Sequence, residues 1–277
     1  NNATATRMNI NGTVTVAGNI TAAVTMGADG ILNLNNESGD DNAAKVVGAI
    51  QSYVVDTAQG TLNINGTFTT QGAIGQGGKG LAAINLSNST WSNGFTTTFA
   101  HDVNATTITV GTSSMQTNAT LAIKAGGTSA GVNIAITGNI VGGGNSSSTD
   151  NAAGGRFNVQ GNTTVSGNIG SGSGILADIR IEDGTTLTIL GADRNIYANN
   201  VTLKDLDGEL LGTNNATLAF NGTGTTTVNG VIAGETTEGE GLIDINTGTV
   251  SFQNTVGSES NYISGIDIAD GSTMTTS

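Results

Sequence analysis

The sequence predicts an all-β fold, a parallel β-helix (β-solenoid) with variable loops on one side. Three observations predict it. First, 43 of the 277 residues are glycine, none is proline, and only 10% are charged, against ~25% in an average domain. Second, short period-2 runs rich in Thr, Val and Ile recur from end to end, bounded by Gly, Asn, Asp and Ser, and such runs read as strands. Third, one strand–loop–strand phrase repeats along the chain, and repetition of a supersecondary unit is the signature of a solenoid. An apolar fraction of 36% separates the chain from glycine-rich disorder.

The elements follow in order. Period-2 segments include "MNINGTVTV" from Met8, "TLNINGTFTT" from Thr61, "TTITV" from Thr106, "VNIAIT" from Val132, "ADIRI" from Ala177, "TTLTIL" from Thr185, "NVTLKDL" from Asn200 and "LIDINTGTVSF" from Leu242. One stretch stands apart. Asp40–Ser52, "DDNAAKVVGAIQS", reads either as a short helix capped by Asp40 or Asp41, with Ala44, Val47 and Ile50 on one side, or as an insertion loop.

Segments 64–86, 159–181 and 245–268 align as one phrase. Each has a Thr-rich strand, an apolar residue followed by Gly, a polar loop, and then apolar-x-x-Ile-x-apolar. The closing triplets are Leu81/Ile84/Leu86, Leu176/Ile179/Ile181 and Ile263/Ile266/Ile268, with the same spacing from Ile74, Ile169 and Val256 to the central isoleucine. Looser copies occupy 9–34, 132–144 and 220–245. Constant strands around variable loops imply stacked coils with inward Ile, Val and Leu. At roughly 22 residues per coil the chain makes about twelve coils, a rod roughly 55–60 Å long. Missing proline fits, because each coil donates its N–H groups to a neighbour. The chain reads as a single repeat domain over 1–277. A β-sandwich array or an antiparallel β-prism are the alternatives, since Asn-Gly steps at 11–12, 65–66, 93–94, 221–222 and 229–230 could form hairpin turns.

The "NGTxTVxGxIG" phrases, the following "G-L/I-x-x-I-x-I" phrases and "RNIYANNVTLKDLDGELL" (194–211) resemble passenger regions of type V autotransporters, in particular rickettsial surface antigens of the outer-membrane-protein-B kind. The resemblance spans nearly the whole chain. It implies secretion across the bacterial outer membrane through a C-terminal β-barrel, and a β-helical surface layer or adhesin. No such barrel is in this sequence, which starts at Asn1 without Met and reads as a mature or internal piece of a longer protein. The absence of cysteine fits either chance or export through an oxidising compartment.

Composition bounds the function. A net charge of −13 with eight Lys and Arg leaves no basic patch for nucleic acid or an anionic membrane, and no apolar run is long enough to span a bilayer as a helix. Gly75-x-Gly77-x-x-Gly80 has dinucleotide-loop spacing and carries Lys79. The strand pattern after Gly80 replaces the helix such a cradle needs, so the glycines read as a coil corner. His101 and Asp102 are adjacent and point to opposite sides of any strand, so they read as surface. Asp178, Glu182 and Asp183, and Asp205, Asp207 and Glu209, are the carboxylate groups a polysaccharide-processing β-helix would need. Arg180 lies in period-2 spacing with Asp178 and Glu182, which suggests a surface ion pair. Asp205, Asp207 and Glu209 in "DLDGE" are the candidate calcium ligands, without the distal Glu of an EF-hand loop. Sequons at Asn11, Asn65, Asn88, Asn118 and Asn221 invite glycans in a surface protein and also arise by chance in an Asn/Thr-rich chain.

The expected function is a non-catalytic structural or adhesive surface protein without a cofactor, self-associating into a layer or filament or meeting a host-cell receptor. The alternatives are a tailspike-like depolymerase and a glycosylated surface-layer or filament protein.

Overall fold

The computed structural model describes residues 7–36, 44–87, 94–111, 119–124, 133–143, 154–204, 215–235, 239 and 241–277. Among them are 22 strands and no helix. All strand pairings between named strands are parallel. The chain visits three ladders in fixed order, so the molecule is a parallel β-helix with three faces.

Each face is fixed by columns of residues stacked in register, inward except at the C-terminal end. The first face stacks Met8, Val24, Ile50, Ile74, Val103, Ile136, Val165, Ile189, Phe220, Ile245 and Ile268. The second stacks Val14, Leu32, Leu62, Ile84, Ile108, Ile140, Ile169, Ile196, Val228, Phe252 and Thr276. The third carries two columns; one runs Ile20, Val46, Thr70, Phe99, Ile123, Val159, Ile181, Leu203 and Gly234. The other runs Phe68, Thr97, Leu121, Phe157, Ile179, Val201, Ile232 and Val256. Alternate residues point inward because the side-chain period of a strand is two, and the Ile/Val/Leu/Phe set forms one continuous buried cluster.

The first column has eleven rungs and ten steps from Met8 to Ile268, so a coil averages 26 residues and ranges from 16 to 33. This corrects the expectation of twelve coils of 22 residues. Insertions lengthen the coils without adding rungs, and the column is ~48 Å long at strand spacing.

The three aligned phrases are true modules, but they start on different faces. Ile74 lies on the first face and leads to Leu81/Ile84/Leu86 on the second. Ile169 lies on the second and leads to Leu176/Ile179/Ile181 on the third. Val256 lies on the third and leads to Ile266 and Ile268 on the first. The unit that repeats is one corner with its two flanking strands. The three corners demand the same chemistry, so the phrase fits at any of them.

The helix reading of Asp40–Ser52 fails over the residues described there. Ala44–Val46 and Ile50–Ser52 are strands on the third and first faces, and residues 40–43 lie outside the described residues. Val46 and Ile50 are four apart, a spacing that suits a helix face and equally a tight corner. Gly48 settles the corner, since a Cβ there would run into the Ala22 carbonyl of the coil above. The hairpin alternative fails too. The described Asn-Gly steps sit at corners or within parallel strands, and among the described residues the single antiparallel bridge is Ser171 with Gly174.

One inward residue is chemically out of place. Thr70 stacks between Val46 and Phe99, 1% exposed, and its Oγ1 is buried without a hydrogen-bond partner. Thr70→Val keeps the shape and removes the unpaired hydroxyl. It is expected to raise stability by about 1 kcal/mol, read as a higher urea midpoint.

Candidate functional site: the third face

The outward sides of the three faces differ. On the second face, amide ladders tie successive coils together: Asn63 Nδ2 donates to Asn33 Oδ1 at 2.8 Å, and Asn85 Nδ2 to Asn63 Oδ1 at 2.9 Å. Beside them Asn65 Nδ2 donates to Asn35 Oδ1 at 2.8 Å, and Ser87 Oγ donates to Asn65. These amides bond coil to coil within the rod. At the C-terminal end of the first face, Asp244 and Asp267 stack directly in register. Burial, then the Asp267 charge, pushes the Asp244 carboxyl up.

The third face collects the long connections. Nine connections between rungs have seven or more residues: 36–43, 53–60, 88–94, 111–118, 124–133, 143–155, 204–216, 235–241 and 257–264. All but 53–60 leave or enter the third face. The strand ends that these connections join therefore flank one face, which sharpens the expectation of loops on one side. The same face holds most of the chain's scarce positive charge. Of eight Lys and Arg, Lys45, Lys124, Arg156, Arg180 and Lys204 lie on its strands or at its edge.

Its charges converge across three coils. Arg180 Nε lies 3.0 Å from Asp178 Oδ2, and Arg180 Nη2 lies 3.3 Å from Glu235 Oε1. Lys204 Nζ lies 3.0 Å from Glu182 Oε2 and 3.6 Å from Glu235 Oε2. Glu182, Lys204 and Glu235 each directly follow a third-face strand, and their backbone N–H groups step down the same corner. Lys204 and Glu235 are also the first residues of the connections 204–216 and 235–241. The cluster thus anchors the stems of two insertions. Lys204→Gln would leave Glu182 and Glu235 facing each other half-buried, and is expected to cost about 1–2 kcal/mol. Urea melts at low and high salt check this, with the larger loss at low salt.

Asp178 sits within this cluster. Burial pushes its carboxyl up, opposed by the Thr202 hydroxyl donating at 3.1 Å and by the Arg180 and Arg156 charges. A carboxyl raised in the folded state contributes stability that is full below its unfolded value of about 3.9 and lost as pH rises through the folded value. Asp178→Asn is therefore expected to flatten that part of the stability–pH curve, measured by urea melts from acid to neutral pH.

The sequence anticipated the Asp178–Arg180 pair and placed Glu182 near it; the structure hands Glu182 to Lys204. Asp183 is not part of the network. Asp102 is a corner staple, its Oδ1 accepting from the Ala135 N–H of the next coil at 2.9 Å, while His101 is exposed. Gly75–Gly80 is the corner between Ile74 and Leu81–Ser87, followed by a strand. Asp205, Asp207 and Glu209, together with Asn88, Asn93 and Asn118, lie outside the described residues. Among the described residues no three metal-binding side chains gather, and no helix is long and apolar enough to cross a membrane. No protein-family model, curated protein or solved structure matches the chain.

Proposed function

We propose that this chain is a non-catalytic surface rod, the passenger of a type V autotransporter, which contacts a host-cell surface or neighbouring rods through its third face. The observation that carries the reading is that eight of the nine long connections begin or end at the strands of that one face. A stiff column of stacked coils holds its outward residues in fixed register, so many shallow contacts can act together without a deep pocket. The resemblance of the repeated phrases to rickettsial surface antigens supports export across the outer membrane and a place in a surface layer. The carboxylates of the third-face cluster are engaged by Arg180 and Lys204, which suits a scaffold better than an acid–base pair.

The test compares labelled chains on cultured host cells and in self-assembly assays. The intact chain binds cells or assembles. Replacing 111–118 and 143–155 by short Gly/Ser corners abolishes this, whereas Thr107→Glu with Thr109→Glu on the second face leaves it unchanged. Equal loss in both variants, no activity of the intact chain, or release of oligosaccharides from a polysaccharide substrate contradicts the proposal.

A further inference from the structure

The Asn-Gly steps, freed from any hairpin role, differ sharply in their surroundings. In Asn65-Gly66 both halves are held. The Asn65 amide is locked in the second-face ladder, and Gly66 is buried at φ 101 with its N–H donating to the Ser87 carbonyl at 3.2 Å. In Asn221-Gly222 and Asn229-Gly230 the asparagines lie within Thr217–Gly234, both glycines are buried, and a Cβ on either would press on a backbone carbonyl of the preceding coil. Asn11-Gly12 is the opposite case. Both residues are exposed, they lie between the strands Arg7–Ile10 and Thr13–Ala17, and a Cβ at Gly12 would meet nothing within 4 Å. Among the described residues the Asn11 side chain makes no hydrogen bond, and the Gly12 N–H donates to no carbonyl.

We propose that Asn11-Gly12 is a self-modifying site at which the folded chain converts an amide into a carboxylate. The Gly12 backbone nitrogen attacks the Asn11 side-chain carbonyl carbon and forms a five-membered imide. The Cγ–Nδ2 bond breaks, and ammonia leaves with the proton from the Gly12 amide. Water then opens the imide at either carbonyl, giving aspartate or, when the backbone carbonyl is cut, isoaspartate. The reaction needs no cofactor or oxidant. It needs a backbone free to turn inward on its own side chain, and glycine after asparagine gives least hindrance. At the other three described sites the ladder or a neighbouring coil's carbonyl closes on the step itself. At Asn11-Gly12 the next coil holds only the Ile10 and Gly12 carbonyls, through the Gly27 and Ile31 N–H groups at 2.9 Å each. The product adds one negative charge to an already acidic rod, and the isoaspartyl form lengthens the main chain at the corner between the first and second faces.

The test is incubation of the full chain at mildly alkaline pH, followed by peptide mapping with mass spectrometry at time points. The Asn11 peptide is expected to gain the mass of amide-to-acid conversion and to split into aspartyl and isoaspartyl forms, while the Asn65, Asn221 and Asn229 peptides keep their amides. In denaturant all five Asn-Gly steps, Asn93-Gly94 included, convert together. Gly12→Ala, which the open space accommodates, slows conversion at Asn11 by about tenfold or more. Persistence of the Asn11 amide in the folded chain, conversion of Asn65 or Asn221 at the same rate, or no slowing in Gly12→Ala overturns the proposal.

Discussion

Gly138→Ala is expected to destabilise the rod by roughly 2–6 kcal/mol, the joint cost of an unfavourable backbone region and of overpacking. Gly138 turns the strand Ile134–Gly142 from the first face to the second at φ 125. A Cβ there would overlap the Ala105 carbonyl of the preceding coil, and a Cβ on Gly167 in the next coil would overlap the carbonyl of Gly138. At this corner backbone packs on backbone through successive coils, so one methyl group must push two coils apart. Stability in a solenoid is close to a sum over neighbouring coils, which confines the damage to the middle of the rod. Gly12→Ala is the control. It occupies the same corner in the first coil, where a Cβ has open space, and should shift the urea midpoint little. Equal effects at the two sites would contradict the corner geometry.

Phe157→Ala is expected to cost about 3–5 kcal/mol, because the third-face column between Leu121 and Ile179 would be left with a cavity. Phe157 is fully buried. Its rung also carries Arg156 on the outside, next to Asp178 in register, so a collapse of this column would disturb the charged cluster above it. Phe157→Leu keeps most of the volume and should lose less than about 1.5 kcal/mol. Urea unfolding of the two variants separates cavity formation from a general intolerance of change at that rung.

The alternation of apolar and polar residues made the strands legible, because a strand's two sides obey one simple period. Ile74, Leu81, Ile84 and Leu86 are core residues as the sequence suggests. What alternation does not encode is which face a strand joins. Leu81/Ile84/Leu86 and Leu176/Ile179/Ile181 look interchangeable yet occupy the second and third faces. Only the length of each connection, summed coil by coil, assigns them. The helix-like spacing of Ala44, Val47 and Ile50 misleads for a related reason: a three-residue corner reproduces one helical turn. Val47, the middle member of that stripe, is 46% exposed and is not core. At the candidate site, Asp178 and Arg180 were readable together because they are near in sequence. Glu235 reaches Arg180 from 55 residues away, and Lys204 reaches Glu182 from 22, separations that coil length sets and no local motif marks.

The register of the stacked coils sets every contact between them, and the chain's lack of cysteine makes it directly testable by paired substitution. Asn85 and Thr109 are register partners on adjacent coils of the second face, while Asn63 and Thr109 are two coils apart. Partners at strand spacing fall within the reach of a disulfide, and positions two spacings apart do not. Mild oxidation should therefore cross-link Asn85→Cys/Thr109→Cys nearly completely and leave Asn63→Cys/Thr109→Cys reduced. Cross-linking of the second pair, or failure of the first, would contradict the three-faced parallel solenoid.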